Sequence, residues 1–292
     1  MKNRKVHLLV IIVVLAAVAS AVAFAPHGSQ GQSRTKRTAA PIKPTVASTS
    51  ASKAVSSFAA AAAQNSVLRN ELSWTFGGKQ QRGWYLYDHL LSETLSTNDA
   101  AVSDDFAAAV AKWQKRRGLS ANGMLDQNSW MAMVSHWQGN RLKNRTSATS
   151  DQLVTAPPAD FYDSSRAVEL RQVERATYDA YKKMLDAANA DLKLGPNSRY
   201  LKIVSAFRSR EYQEELRRKS PNAGSAGLAV NNSPHFTGRA LDLYVGGDPV
   251  DTKDANRAIQ VATPAYKWLV RNADRFGFRP YFYEPWHWEY VK

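Results

Sequence analysis

Apolar residues at the start of the chain form one long run behind a basic cluster. Lys2, Arg4 and Lys5 precede a stretch from 8 to 25 that is almost entirely apolar. This pattern is typical of a secretory signal peptide, and the run is also just long enough to cross a bilayer uncleaved. We therefore expect residues 1–25 to be a signal peptide or a signal anchor, with the remainder outside the cytoplasm.

The next stretch is polar and then gives way to helical spacing. Residues 26–63 are rich in Ser, Ala, Thr, Gln and Pro and lack the apolar mass to fold alone, so we predict a disordered linker. Beyond it, apolar positions recur at helical intervals. Phe106, Val110 and Trp113 form one stripe behind Ser103, a residue that can cap a helix.

Two more helices complete a small domain. One carries Trp84 and Leu90, and the other begins after Asp126, a second capping residue, and carries Trp130. Three short helices around aromatic side chains can form a core. We therefore predict a helical domain over residues 64–140.

The rest of the chain mixes helical and strand periods. Residues 141–163 are polar and contain two prolines, so we predict a second linker. Over residues 164–292 the pattern predicts helices alternating with strands: a helix over 164–194, a strand over 200–207, a helix capped by Ser209, a loop over 220–234, a strand over 238–245, a helix opened by Thr263 and Pro264, and a strand over 286–291. This order predicts an α+β domain.

The composition is that of a basic protein with enough apolar residues for a core. Of 292 residues, 44% are hydrophobic, and the net charge is +14. This excess favours an anionic partner, such as nucleic acid, a membrane surface or an acidic polymer, although a solvated basic surface is the alternative. No basic recognition helix or stacking motif supports a nucleic-acid binder. Cysteine is absent, which excludes disulfides, a cysteine nucleophile and thiolate zinc ligands.

Two histidines and an aspartate near the C-terminus are candidate metal ligands. Asp242 lies on the face of its predicted strand opposite Leu241 and Leu243, which belong in the core. His235 precedes this strand beyond a glycine that permits a tight turn, so both groups can meet one ion. His287 comes from the last predicted strand. Two histidines and one aspartate make a zinc triad that leaves a position for water.

Glu284 lies three residues before His287 and can act outside the ligand set. It could accept a proton from an activated water and pass it to the leaving amine. Taken singly, a histidine beside an aromatic residue is more often a structural hydrogen-bonding group, and a glutamate before proline is usually just exposed. The combination favours a catalytic and metal-binding role over a structural one, because His235 and His287 are the only histidines after residue 136 and each has an acid close in sequence.

One segment of the helical domain resembles a known wall-binding module. It is similar to the second half of the peptidoglycan-binding domain of many wall hydrolases in the order of Phe106, Val110, Trp113-Gln114, Gly118-Leu119, Gly123, Leu125 and Ser129-Trp130. Asn122 stands where the family usually has Asp. The resemblance implies adhesion to the cell wall rather than chemistry.

The candidate site carries a more specific resemblance. Ser-x-His-x-x-Gly-x-Ala-x-Asp at residues 233–242 and Glu-Pro-Trp-His-Trp at residues 284–288 resemble the VanY-type D-alanyl-D-alanine carboxypeptidases. These belong to a wider group of zinc peptidases that includes lysostaphin and the hedgehog fold. The resemblance covers roughly residues 165–292 and implies that Glu284 is the catalytic base. It also implies one zinc ion bound by His235, Asp242 and His287.

A third family motif, Ser-Gly-Tyr-Arg-Ser, is matched here by Ser-Ala-Phe-Arg-Ser. The resemblance implies that Arg208 places a fixed cation on the scissile carbonyl as it becomes an oxyanion. A salt bridge from Arg208 to Glu211 or Glu215 is the alternative. Ser233 and Gln213 also fall at matching positions, which implies contact with substrate. The departures from the family motifs border the site and bear on substrate preference rather than on zinc binding.

These features together predict an exported, wall-associated zinc peptidase. We expect the catalytic domain, residues 164–292, to be α+β, with a small antiparallel sheet that carries the zinc site and helices packed outside it. The resemblance favours removal of the terminal D-Ala from stem peptides. The alternatives are an endopeptidase that cleaves between L-Ala and D-Glu or at cross-bridges, and a non-catalytic zinc-containing wall-binding protein. We expect a monomer in the periplasm or cell wall, with peptidoglycan and not nucleic acid as its partner, and a route to the membrane through residues 1–25.

Overall fold

Helices dominate the first part of the described chain. The computed structural model describes residues 58–219 and 232–292. The three predicted helices are present, and a further helix and a β-hairpin accompany them. In chain order the elements are α1 (Ala59–Glu71), β1 (Ser73–Phe76), β2 (Lys79–Arg82), α2 (Asp88–Leu95), α3 (Asp104–Arg116) and α4 (Gln127–Gly139). The predicted caps are confirmed, because the side chains of Ser103 and Asp126 accept backbone N–H groups of α3 and α4.

The predicted N-terminal segment, residues 1–25, lies outside the described residues, as does most of the predicted linker that follows it. α1 begins inside the last part of that linker, at Ala59. Within the two described ranges, no helix combines the length and the apolar character needed to span a membrane.

A four-stranded antiparallel sheet lies at the centre of the C-terminal part, and helices pack around it. The elements are β3 (Leu153–Thr155), β4 (Gln172–Glu174), α5 (Arg175–Leu192), β5 (Ile203–Ser205), α6 (Arg210–Lys219), β6 (Ala240–Leu243), α7 (Asp254–Ala262), α8 (Pro264–Asn272), β7 (Phe278–Pro280) and β8 (His287–Tyr290). The spatial order in the sheet is β5–β6–β8–β7, while β3 and β4 form a separate pair. This arrangement confirms the predicted α+β class with a small antiparallel sheet.

The long helix predicted from residue 164 is shorter than expected. α5 begins at Arg175, because the residues before it belong to β4, where buried Val173 pairs with Val154 of β3. The carboxylate of Glu174 accepts the N–H of Thr177 at 2.7 Å and caps the helix. Helical spacing alone could not reveal this boundary, because the pairing strand lies elsewhere in the sequence.

Residues 141–163, predicted to be a linker, instead pack against the rest of the fold. Leu142 is buried, and Ala156 and Phe161 belong to the core of the sheet-bearing part. All described residues fall within one compact unit. A polar, proline-containing composition does not show that its few apolar side chains find partners far away in sequence.

An aromatic cluster joins the helical part to the sheet-bearing part. Phe282, just before β8, is 2% exposed, and its ring centroid lies 4.8 Å from that of Phe76 and 5.5 Å from that of Tyr87. The rings of Trp74 and Trp137 also pack against it. Removing an aromatic side chain from such a core typically costs about 3–5 kcal/mol. This contact therefore fixes the segment before β8 to the helical part.

Candidate metal centre

The register of two neighbouring strands brings two predicted ligands together. Asp242 of β6 lies directly opposite His287 of β8, and Leu241 lies opposite Trp288. Because side chains alternate along a strand, the first pair shares one face of the sheet and the second pair shares the other. Leu241 and Trp288 pack in the core. The face with Asp242 and His287 is continued by Ser205 of β5, which lies opposite Asp242 on its other side.

His235 reaches the same face from a short turn. Pro234–Thr237 form a 3-10 turn, and the hydroxyl of Ser233 caps it by accepting the N–H of His235 at 3.3 Å. Gly238 follows with φ +67°, and a Cβ atom there would lie 2.8 Å from the backbone nitrogen of Glu174. Glycine is therefore required for the tight return into β6 that the sequence predicted.

The three predicted ligands converge in a buried cluster. One donor atom from each of His235, Asp242 and His287 lies within 4.8 Å of the other two. The Nε2 atom of His235 is 3.4 Å from Oδ1 of Asp242, and the Nδ1 atom of His287 is 2.9 Å from the same oxygen. The other nitrogen of His235, Nδ1, bonds to the carbonyl of Ala206 at 2.7 Å. The other nitrogen of His287, Nε2, bonds to Glu289 at 3.2 Å.

This donor set fits zinc. Two imidazole nitrogens and one carboxylate oxygen are among the ligands that zinc takes in catalytic sites, where a further position is left for water. The outer hydrogen bond on each ring directs its other nitrogen towards the cluster, an arrangement common to metal-ligating histidines. The residues present could therefore hold one zinc ion.

Asp242 is shared between the cluster and a cation. Its Oδ2 atom accepts a hydrogen bond from Nη2 of Arg208 at 2.7 Å, while Oδ1 faces the two imidazoles. Arg208 also donates from Nε to the hydroxyl of Ser205 at 2.9 Å. Burial alone would raise the pKa of Asp242, but the two imidazoles and Arg208 hold it well below its usual range. The carboxylate is therefore ionised and can serve as a ligand.

The two histidines differ in charge before a metal binds. Burial, with the charge of Arg208, lowers the pKa of His235 to about 4, so this ring is neutral at neutral pH. Burial would also lower the pKa of His287, but hydrogen bonds to the carboxylates of Asp242 and Glu289 outweigh it and raise the pKa to about 9. At pH 7 His287 therefore carries a proton that a metal must displace.

Glu284, the predicted base, lies in the segment immediately before β8. Its backbone N–H donates to the carbonyl of Tyr281 at 3.1 Å, and the N–H of His287 donates to the carbonyl of Glu284 at 2.9 Å. These two turns fix the offset between Glu284 and the neighbouring ligand. Burial of the carboxyl group raises the pKa of Glu284 to about 7, although part of the residue reaches the surface.

One acid at this site, Glu289, was not predicted from the sequence. Glu289 of β8 is fully buried, and strand alternation places it on the same face as His287. Burial would raise the pKa of Glu289, but His287 and Arg141 lower it to about 2. The strand period was the signal that could have found Glu289. Its partner Arg141 is 148 positions away in the sequence, and nothing local pointed to it.

The two residues expected to contact substrate lie in different settings. Gln213 of α6 is fully buried, and within the described part of the chain neither atom of its amide group has a hydrogen-bond partner. Ser233 is 4% exposed, and its hydroxyl caps the turn that carries His235. Gln213 thus keeps free hydrogen-bonding capacity, whereas Ser233 already has a structural role.

Comparison with known proteins identifies the sheet-bearing part. Residues 170–292 match the family model VanY, described as D-alanyl-D-alanine carboxypeptidase. This segment is a VanY-type domain. The VanY-type domain contains all of the site residues predicted from the sequence, together with Glu289.

Two solved structures resemble part of the chain. The LD-carboxypeptidase LdcB is 26% identical with a TM-score of 0.38, and the match covers 52% of this chain and 72% of that chain. A zinc-bound mutant of the D,D-pentapeptidase VanY from a VanB-type vancomycin-resistance cassette is 24% identical with a TM-score of 0.30, covering 41% of this chain and 74% of that chain. No curated protein gives a significant match.

We expect zinc affinity to increase with pH below about 9, because His287 must lose one proton while His235 is already neutral. The dissociation constant should fall about tenfold per pH unit, or about 100-fold between pH 6 and pH 8. Competition with a chromogenic chelator at fixed ionic strength measures this. His287→Ala should bind zinc weakly, and its zinc affinity should no longer depend on pH in this way. A wild-type zinc affinity that stays constant between pH 6 and pH 8 would contradict proton competition at His287.

Proposed function

We propose that this protein is a zinc-dependent peptidase that cleaves peptidoglycan stem peptides, with removal of the terminal D-Ala as the favoured reaction. The observation that carries the proposal is the buried convergence of His235, Asp242 and His287 near Glu284, within a VanY-type domain. Such a substrate lies in the periplasm or cell wall, which agrees with the export signal predicted in residues 1–25. We propose that the protein acts there as a monomer.

Glu284 is our candidate for the group that moves the proton. A zinc ion held by the three ligands would supply Lewis acidity to the attacking water and to the scissile carbonyl. With a pKa of about 7, Glu284 can accept a proton near neutral pH and return it to the leaving amine. The two turns around Glu284 hold its backbone in place next to His287.

Arg208 is our candidate for stabilising the oxyanion. Its guanidinium group is held by Asp242 and Ser205, so its position is set before substrate arrives. A guanidinium has five N–H groups, and these contacts leave capacity for a substrate oxygen. A fixed cation beside the metal ligands can stabilise the negative charge that develops as the carbonyl becomes tetrahedral.

Gln213 and Ser233 are our candidates for binding the stem peptide. The buried amide of Gln213 has hydrogen-bonding groups to offer to a peptide backbone, since neither atom is satisfied within the described residues. A buried amide without partners is costly, and a bound peptide could remove that cost. Ser233 lies directly before the turn that carries His235 and could meet the substrate close to the metal.

We propose that the helical part holds the enzyme on the wall. The support is the resemblance of its second half to a peptidoglycan-binding domain and the net charge of +14, which suits anionic wall polymers. Most of its large aromatic side chains are buried in the core, although Phe76 and Tyr85 are only partly buried. Exposed basic residues follow one another along α3, where Lys112, Lys115 and Arg116 are available.

Replacing Glu284 should separate chemistry from metal binding. Glu284→Gln should keep zinc but lower the turnover of a pentapeptide muropeptide by about 100-fold or more, because the proton acceptor is gone. Zinc content by atomic absorption and D-Ala release by mass spectrometry are the two measurements. Glu169→Gln, a change at an exposed acid directly before the matched segment, serves as the control and should retain activity. Full turnover in Glu284→Gln would remove Glu284 as the base.

The products of muropeptide digestion should define the bond. With pentapeptide stems we expect loss of one terminal alanine, blocked by a chelator and restored by zinc. Tetrapeptide stems, which end in a single D-Ala, should be cut poorly if the site requires the D-Ala–D-Ala pair. Split stems or opened cross-links would replace the carboxypeptidase assignment with an endopeptidase. Cleavage that ignores the chelator would contradict a metal-dependent reaction.

Binding to purified sacculi should depend on the basic surface of α3. Lys112→Gln/Lys115→Gln should weaken retention on sacculi, since each change removes a charge that faces solvent. Lys79→Gln/Lys183→Gln removes the same charge elsewhere and should leave retention unchanged. Co-sedimentation at several salt concentrations is the measurement. Equal retention of both variants, or stronger retention of the wild type on DNA than on sacculi, would refute this wall-binding surface.

A further inference from the structure

A carboxylate outside the ligand cluster lies directly behind one of its histidines. The Oε1 atom of Glu289 is 3.2 Å from Nε2 of His287, on the side of the ring away from Asp242. Both residues point to the same face because they are two positions apart in β8. Neither side chain of this pair is more than 4% exposed, so water does not compete for the contact.

Glu289 is held in place from the end of the helical part. Arg141, which follows α4, donates to Oε1 from both Nε, at 3.0 Å, and Nη2. The backbone N–H of Leu142 donates to Oε2 at 2.8 Å. The guanidinium of Arg141 also lies over the ring of Tyr281, with its central carbon 3.9 Å from the ring centroid. Both oxygens of the carboxylate are therefore engaged, and its orientation is fixed.

The bonds to Arg141 do not by themselves explain the contact with His287. A buried arginine–carboxylate pair is worth little to stability compared with apolar residues of the same size. The carboxylate, however, accepts the Nε2–H of His287, and this leaves Nδ1 as the nitrogen that faces Asp242. His235 achieves the corresponding orientation with a backbone carbonyl, that of Ala206. Glu289 gives His287 a charged partner instead.

We propose that Glu289 is a positioning residue for His287 and that Arg141 keeps its carboxylate in place. This inference rests on the proposed function, because it assumes that His287 is a zinc ligand. Removing the carboxylate frees the ring to rotate and to place its proton on either nitrogen. Loss of an outer partner of this kind typically lowers metal affinity about 10–100-fold. The helical part thereby contributes to metal binding through one side chain, in addition to any role on the wall.

Four forms of the full-length protein test this proposal. Glu289→Leu removes the acceptor but leaves Arg141 without its partner, and so could destabilise the fold by itself. The double variant Arg141→Leu/Glu289→Leu removes both charges together and should regain much of that stability. Asp160→Asn breaks another ion pair of the fold, between the largely buried Asp160 and the partly exposed Lys182, and is the control. The wild type is the fourth form.

Zinc affinity and thermal stability without metal are measured for each form. We expect the double variant to approach the wild type in stability while binding zinc about 10–100-fold more weakly. Asp160→Asn should lose stability and keep its zinc affinity. A double variant that binds zinc as tightly as the wild type would show that Glu289 serves only as the partner of Arg141, and it would overturn the inference.

The same experiment distinguishes this inference from the proposed function. His287→Ala is added as a reference for loss of a ligand. If the wild type binds no zinc, or if His287→Ala binds zinc as tightly as the wild type, the metal centre itself is refuted. The positioning role of Glu289 is then refuted as well. If His287→Ala loses zinc and the double variant does not, the metal centre stands and only the role of Glu289 is wrong.

Discussion

The pairing of β6 with β8 is the constraint on which the candidate site depends. It places Asp242 opposite His287, and the alternation of the two strands sends both side chains to the same face. A slip of one residue would exchange the two faces of a strand and put a tryptophan where a ligand is needed. Leu241 and Trp288, packed in the core on the other face, resist such a slip. Burial on one face therefore secures the geometry of the polar face.

Two turns bring His235 and Glu284 to the sheet face that carries Asp242 and His287. The turn before β6 delivers His235, and it requires a glycine at Gly238 because the backbone at Glu174 passes so close. The turn before β8 delivers Glu284 and is built from backbone hydrogen bonds on either side of it. The first turn is also tied to distant segments, because the carbonyls of His235, Phe236 and Gly238 accept backbone N–H groups from them, whereas the second is closed by bonds within its own segment. The ligands and the base thus come from short segments attached to one rigid element.

Buried charge explains why the helical part belongs to the same compact unit. Glu289 is fully buried behind the site, and an isolated carboxylate there would be expensive. Arg141 supplies the balancing charge from the end of α4, while Phe282 fills an aromatic core shared with the helices. Apolar burial and one charge pair therefore act together to hold the segment that carries Glu284. The helical part is a structural support for the site as well as a candidate wall-binding surface.

Turn chemistry and strand period were sufficient to predict the helix caps at Ser103 and Asp126 and the α+β class, and they marked His235, Asp242 and His287 as candidate ligands. The meeting of His287 with the other two depends on the pairing of β6 with β8. Local pattern was not sufficient for the start of α5 or the path of residues 141–163, since both depend on strand pairs and buried contacts between distant segments. The sequence by itself determined which groups could bind a metal. Only the tertiary structure decided that Arg141 and Glu289 stand behind His287, because a buried charge is tolerated only where another part of the chain brings its partner.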